Sequence, residues 1–277
     1  MCRMQEKTMR CWLIAVAIIM MLTSLTALSA AISAVTNPFM MYARMGYTVL
    51  IQGLIVFMIL VAGGIVGCIG TIKRKFSCVF AMFWLLVVAE GWAYGLAGNM
   101  YGVWYIYSGK DNIATCTEKF ERSADLIYVG DTIGANLCTQ ATCACDLSGV
   151  DTTYVTSAGG STTGTNTKVQ QCADHWRSDF DLAGDMMTAL EETFKCVGFC
   201  TTASTNNENH FSFSNVKNIP LDTKCADHYD KYVTATTGSI GGNFWSVGGS
   251  AFFCFVILVI LSISQAQYSI MEWRCNK

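Results

Sequence analysis

"TVLIQGLIVFMILVAGGIVGCIGTI" occupies residues 48–72 and runs directly into Lys73, Arg74 and Lys75. The stretch contains no charged side chain. As a helix rising about 1.5 Å per residue it would extend about 37 Å, more than the roughly 30 Å hydrocarbon core of a bilayer. The three consecutive cations mark where it must leave the apolar phase. Three further runs of this kind lie at 12–35, 79–101 and 247–268. With their flanks the spans are expected at 12–35, 48–72, 79–107 and 246–269. The whole chain agrees: its 277 residues are 52% hydrophobic and only 14% charged, against about 25% charged in an ordinary soluble domain. The first run follows a basic start and ends in small residues, as a signal peptide does. It is too long for a signal core of about 7–15 residues, so it is expected to be retained.

Lysine and arginine near the span ends set the orientation. The N-terminus carries Arg3, Lys7 and Arg10, the link after the second span Lys73, Arg74 and Lys75, and the C-terminus Arg274 and Lys277. The link between the first two spans has only Arg44. Residues 1–11, 73–78 and 270–277 are therefore expected in the cytoplasm. Residues 36–47 form a small extracellular or lumenal loop, and 108–245 a large one, on an integral protein of the plasma membrane or an endomembrane. Residues 108–245 hold 17 acidic and 9 basic side chains, a net of −8; the rest holds 3 and 9, a net of +6, giving the chain's −2. An acidic outer domain argues against nucleic acid as a partner.

The cysteines follow the same division. Cys116, Cys138, Cys143, Cys145, Cys172, Cys196, Cys200 and Cys225 fall in the large loop, an even set expected to form disulfides in an oxidising compartment. Cys2, Cys11, Cys78 and Cys275 lie near the cytoplasmic surface and are candidates for S-palmitoylation. Cys254 reads as a small buried hydrophobe.

Small residues recur at helical spacing inside the spans: Ala27, Ala30, Ala31 and Ala34 in the first, Gly63 and Gly67 in the second, and Gly91, Gly95, Gly98 and Gly102 in the third. Such seams let helix backbones approach closely where packing drives association, and they predict a packed bundle. Glu90, midway along the third span, is the only acidic residue inside one. An ionised carboxylate there is costly, so it is expected to face the bundle interior and to hydrogen-bond to a neighbouring helix, with Gln52 and Asn99 as further polar groups. A proton or ion route needs several convergent charges, and the chain offers one.

Within the large loop, residues 110–129 read as a continuing helix with a ragged apolar face. Residues 146–168 are Ser/Thr/Gly-rich and read as an exposed loop. The clearest soluble helix follows, since Trp176, Phe180, Ala183, Met187, Leu190 and Phe194 recur every three or four residues. Acidic residues across 174–192 read as its solvated face. It ends in "FKCVGFC", residues 194–200, where Gly198 suits a sharp exit. A continuous helix would hold Cys172 about 36 Å from Cys196, too far for a disulfide. Cys172 then looks to Cys116 or to Cys138, Cys143 and Cys145, which leaves Cys196 or Cys200 for Cys225. "CADH" at 172–175 and 225–228 would supply two Cys/His pairs at zinc-ligand spacing, but the compartment favours disulfides and no metal is expected. Only His175, His210 and His228 are available for general-base work. No phosphate-binding glycine loop, HExxH or GxSxG motif occurs, so no enzymatic activity is expected.

Four spans, a short first outer loop, a basic inner link and a large cysteine-rich second outer loop together resemble the tetraspanin family. Gly67-Cys68-Ile69-Gly70 is similar to the glycine–cysteine run that closes the family's second span. Phe194-Lys195-Cys196-Val197-Gly198 resembles its Cys-Cys-Gly signature, with Val197 in place of the second cysteine and Cys200 as a substitute. Pro220 stands before Cys225 at a spacing unlike the family's Pro-x-x-Cys, and no cysteine follows Cys225 before the fourth span. Glu90 occupies a place where the family commonly has a polar residue. The resemblance is to a divergent member: an all-α membrane protein with four transmembrane helices and a helical, disulfide-braced extracellular domain between the third and fourth. It implies an organiser that binds other integral membrane proteins laterally and through its large loop, helped by palmitoyl groups and forming homo- or hetero-oligomers. The variable surface of that loop would be 138–168 and 201–221. It also implies contact with membrane lipids, including a sterol among the spans, with Glu90 as the contact. The competing expectation is a fixed accessory subunit of a large membrane assembly.

Overall fold

A computed structural model of the chain describes residues 2–73, 75–109, 113, 115–137, 141–146, 164–172, 174–200, 213–215 and 223–275. Cys138, His210 and Pro220 lie outside them, as does most of 138–168 and 201–221. The described residues are largely helical and contain no strand, only two isolated bridges, Cys145 with Asn166 and Val197 with Lys224. Four helices are long and apolar enough to cross a membrane: α1 (Cys2–Thr36), α3 (Gly46–Lys73), α4 (Phe76–Tyr107) and α8 (Ala226–Cys275). The chain divides into two compact units. One comprises Met1–Thr36, Met45–Tyr101 and Gly238–Lys277, the other Asn37–Arg44 and Gly102–Thr237.

In the helical unit every long helix buries one seam whose members alternate three and four residues apart. On α3 it is Gly46, Val49, Gly53, Val56, Leu60, Gly63, Gly67 and Gly70. On α1 it is Met20, Ser24, Ala27, Ala31 and Ala34, on α4 Met82, Leu86, Ala89, Ala93, Leu96 and Met100, and on α8 Ile240, Phe244, Val247, Ala251, Cys254 and Leu258. A seven-residue repeat of period 3.5 keeps a seam facing its neighbour only if the helices cross at a shallow left-handed angle of about 20°. Close approach needs the small residues. A Cβ on Gly53 would stand 2.6 Å from the Ala31 Cβ and 3.3 Å from the Phe244 ring. Between α4 and α8 the seam is aromatic: Tyr94 meets Trp245 at 4.9 Å and Phe83 meets Phe255 at 5.0 Å between ring centres.

The second unit is built from short pieces. α2 (Pro38–Tyr42) has Pro38 at its first turn, and the Asn37 side chain accepts hydrogen bonds from the backbone N–H groups of Phe39 and Met40 at 3.0 and 3.3 Å, a combination that nucleates so short a helix. Phe39 is buried against Tyr107, at 5.6 Å, and Tyr229. Tyr229 also packs edge-on to Phe120 and Phe199, and its hydroxyl shares a 3.0 Å hydrogen bond with Ser123. Burial pushes the nearby Tyr42 phenol up to about 12, against the opposing hydrogen bond to Ser123.

Residues 110–129 do not form the single helix expected. Among their described residues the chain makes α5 (Cys116–Lys119), a 3-10 turn over Glu121–Ser123 and α6 (Ala124–Ile127), passing into a π turn over Tyr128–Ile133. The predicted soluble helix is also shorter: α7 is Asp181–Phe194. Its apolar stripe is real, since Ala183, Met187 and Leu190 are buried. Trp176 reaches the same face without being helical. Its indole lies over Gly184 and its Nε1–H donates to Asp181 at 2.9 Å, so the sequence spacing imitates two further turns. At the other end α8 runs unbroken from Ala226 through 245, which absorbs the last part of the segment read as the large loop.

Candidate functional site

Two places gather the residues singled out by sequence: the "FKCVGFC" bend and the outward face of α4. At the bend α7 stops on Lys195, whose backbone is left-handed (φ 55°) and whose N–H returns to the Glu191 carbonyl. Gly198 makes a second left-handed turn (φ 61°) three residues later. The exit from the helix therefore belongs to Lys195, and Gly198 redirects the chain afterwards. The stretch then pairs with the approach to α8. Val197 N–H donates to Thr223, Cys225 N–H to Gly198 and Ala226 N–H to Phe199, at 3.0–3.2 Å. Phe199 thus supplies an acceptor to the first residue of α8, one of the donors that a helix leaves unpaired. Val197 is buried, so the residue in place of a cysteine contributes packing.

Two of the disulfides clamp this bend. Cys196 joins Cys225 (Cα–Cα 4.9 Å), Cys116 joins Cys200 (5.6 Å) and Cys143 joins Cys172 (5.1 Å). Cys145 is also disulfide-bonded. Cys172 pairs into the early cluster, as the geometric argument required, although the intervening helix is shorter than that argument assumed; of the two candidates left open for Cys225, it is Cys196 that takes it. The two "CADH" cysteines are committed to separate disulfides. His175 bonds the Thr142 hydroxyl through Nε2 at 2.8 Å, and the His228 ring stacks on Phe194 at 4.9 Å.

Two carboxylates complete the clamp, and neither was singled out by sequence. Asp131 accepts from the N–H groups of Phe199, at 2.7 Å, and Cys200, at 3.0 Å. Glu191 was read as part of a solvated face. It is fully buried and accepts from the N–H groups of Phe213, at 3.0 Å, and Ser214, at 2.8 Å. A buried carboxylate is tolerable when backbone donors hold it in this way. Each bond spans more than 20 residues of sequence, so no local pattern announces it.

On α4 the outcome differs from expectation. Gly91, Gly95 and Gly98 are exposed, and a Cβ added at any of them, or at Gly102, would meet nothing within 4 Å. They form no seam inside the bundle. Helical spacing identifies a stripe but not the direction in which it faces, and the inward face of α4 belongs to the Met82–Met100 seam. The glycines extend a second alternation of four and three that begins with Trp84 and Val88, which are 53% and 45% exposed. Glu90 flanks this face. It is half-buried and makes no hydrogen bond or ion pair among the described residues, so the expected bond to a neighbouring helix is absent. Asn99 is exposed and Gln52 half-buried.

Of the lipidation candidates, Cys11 is exposed and Cys78 half-buried, while Cys2 and Cys275 lie at the ends of α1 and α8. Cys68 is half-buried and Cys254 buried. Gly67 and Gly70 are both buried on α3, where Gly70 adjoins Cys78. Comparison of the chain with family models, with curated proteins and with solved structures returned no match.

Proposed function

We propose that the protein is a membrane organiser of tetraspanin type, which binds other integral membrane proteins laterally and through a disulfide-braced domain outside the cell or in a lumen. The observation that carries this reading is the outward face of α4. A helix of membrane-spanning length presents three exposed glycines in register, and in lipid small residues matter chiefly where another helix lies against them. The clamped bend at 194–200 supports the second half, because a unit held by disulfides can present a surface of fixed shape. On this reading the termini are cytoplasmic, and acyl groups on Cys11 or Cys78 favour clustering.

Extraction in a mild detergent, with mass spectrometry of the proteins that co-purify, tests the proposal. An organiser yields a set of sub-stoichiometric membrane proteins that is lost in harsher detergent. One companion at fixed ratio, surviving washes, would instead make the chain an accessory subunit of a larger assembly.

A further inference from the structure

We propose that the outward face of α4 receives a single transmembrane helix of a different protein, one that carries a lysine or arginine at the depth of Glu90. The inference rests on the lateral-binding reading and specifies the partner's chemistry. Its first support is periodicity. Trp84, Val88, Gly91, Gly95 and Gly98 repeat at four and three residues, the same 3.5-residue period by which the chain's own long helices bury their seams. A face with that period accommodates a helix crossing at a shallow angle, and glycine lets the two backbones approach closely. The bulk of Trp84 and Val88 lies at one end of the seam and the open glycines at the other, so an incoming helix packs most closely past Gly91.

The second support is charge. Glu90 lies next to Gly91, flanking the seam, where charged side chains select partner and register in paired helices. It lies 14 residues into α4, about 21 Å along the axis, too deep for its short side chain to reach either surface. The chain's own spans supply no cation to pair with it: residues 12–35, 46–72, 79–107 and 238–269 contain no lysine or arginine. A second copy of the chain would bring another carboxylate to this depth and no cation. A cation that pairs with Glu90 would therefore come from another polypeptide, which makes the proposed interface heterotypic.

The test uses the full chain, labelled with a fluorescence acceptor and reconstituted into phosphatidylcholine vesicles. The probes are two donor-labelled leucine-rich peptides of about 23 residues, one with a central lysine and one with leucine there. The lysine peptide is expected to associate about tenfold more tightly, the factor equivalent to about 1.4 kcal/mol and within the range of interhelical polar contacts. Glu90→Gln should reduce it to the level of the leucine peptide, and Glu90→Asp should keep the preference. Gly95→Leu should weaken both peptides while leaving the chain's own thermal unfolding unchanged, which separates a blocked face from a misfolded one. Equal binding of the two peptides, or a lysine preference that survives Glu90→Gln, would overturn the inference. So would energy transfer between donor- and acceptor-labelled copies of the chain that is abolished by Gly95→Leu. If detergent extracts still contain sub-stoichiometric neighbours, these results overturn this inference alone; absence of any such neighbour removes the lateral-binding reading as well.

Discussion

The long helices and the cysteine-rich unit are ordered by opposite means. The helices have regular backbones, so their hydrogen bonds close internally and only side-chain packing remains to be specified; one repeating seam per helix specifies it. In the other unit few elements reach two turns. Its backbone is fixed by bonds between distant points: three described disulfides, the Asp131 and Glu191 carboxylates, and an aromatic cluster around Tyr229. The first arrangement fails gradually when one contact is lost. The second depends on individual residues, and a single substitution can release a whole segment.

Cross-link removal gives the largest expected effect. Replacing Cys116 and Cys200 together by serine opens a tie across 84 residues, which on a chain-entropy argument costs about 4–5 kcal/mol; opening Cys143–Cys172, which spans 29, costs about 3–4. Thermal unfolding followed through Trp176 should rank them in that order, and the reverse order would mean that local packing outweighs loop length. Next comes Glu191→Ala, which leaves two buried backbone donors unpaired and should destabilise the same unit by about 1–3 kcal/mol for each. Detecting it requires only that hydrogen exchange at Phe213 and Ser214 be compared with that at Leu190. A similar loss, about 1–3 kcal/mol from overpacking, is expected for Gly53→Leu in the helical unit. Gly95→Leu, on the open face, should stay within about 0.5 kcal/mol of the parent. If the two glycine variants behaved alike, the distinction between the closed and open seams would be lost.

The smallest effect is a pH dependence at Asp185, whose carboxyl is pushed above the usual range by partial burial and then by the Asp181 carboxylate. Because its folded value is raised, the folded state holds this proton more tightly than the unfolded state does. The associated stability is present below the ordinary carboxylate range and lost as pH rises through the raised value. Asp185→Asn should therefore melt slightly higher than the parent at pH 7, with the difference vanishing near pH 3.

Sequence disclosed the two regions unequally, for the same physical reason. A membrane helix is written locally, so run length located all four, and the small-residue seams read on α1 and α3 do pack closely, with Gly53 against Ala31. Direction was not legible. The period that places Gly91, Gly95 and Gly98 on one stripe says nothing of whether a neighbour covers it, and the inward seam of α4 has the same period. In the cysteine-rich unit the stripe at 183, 187 and 190 was legible, whereas its extension to Trp176 came from a side chain folding back over Gly184. Asp131 and Glu191 were invisible, because what each acidic residue binds is decided 68 and 22 residues away.

The bend at 194–200 also governs which parts of the chain are free to change. Cys200 is tied to Cys116, Phe213 and Ser214 to Glu191, and Thr223 to Val197. The described residues on either side of 201–212 and 216–222 are thus each tied to another part of the chain. Doubling the length of a closed loop costs only about 0.6 kcal/mol. Insertions within 201–212 or 216–222 should therefore leave the fold standing, so the same ties that make the bend intolerant of change give its two neighbouring segments latitude to diverge.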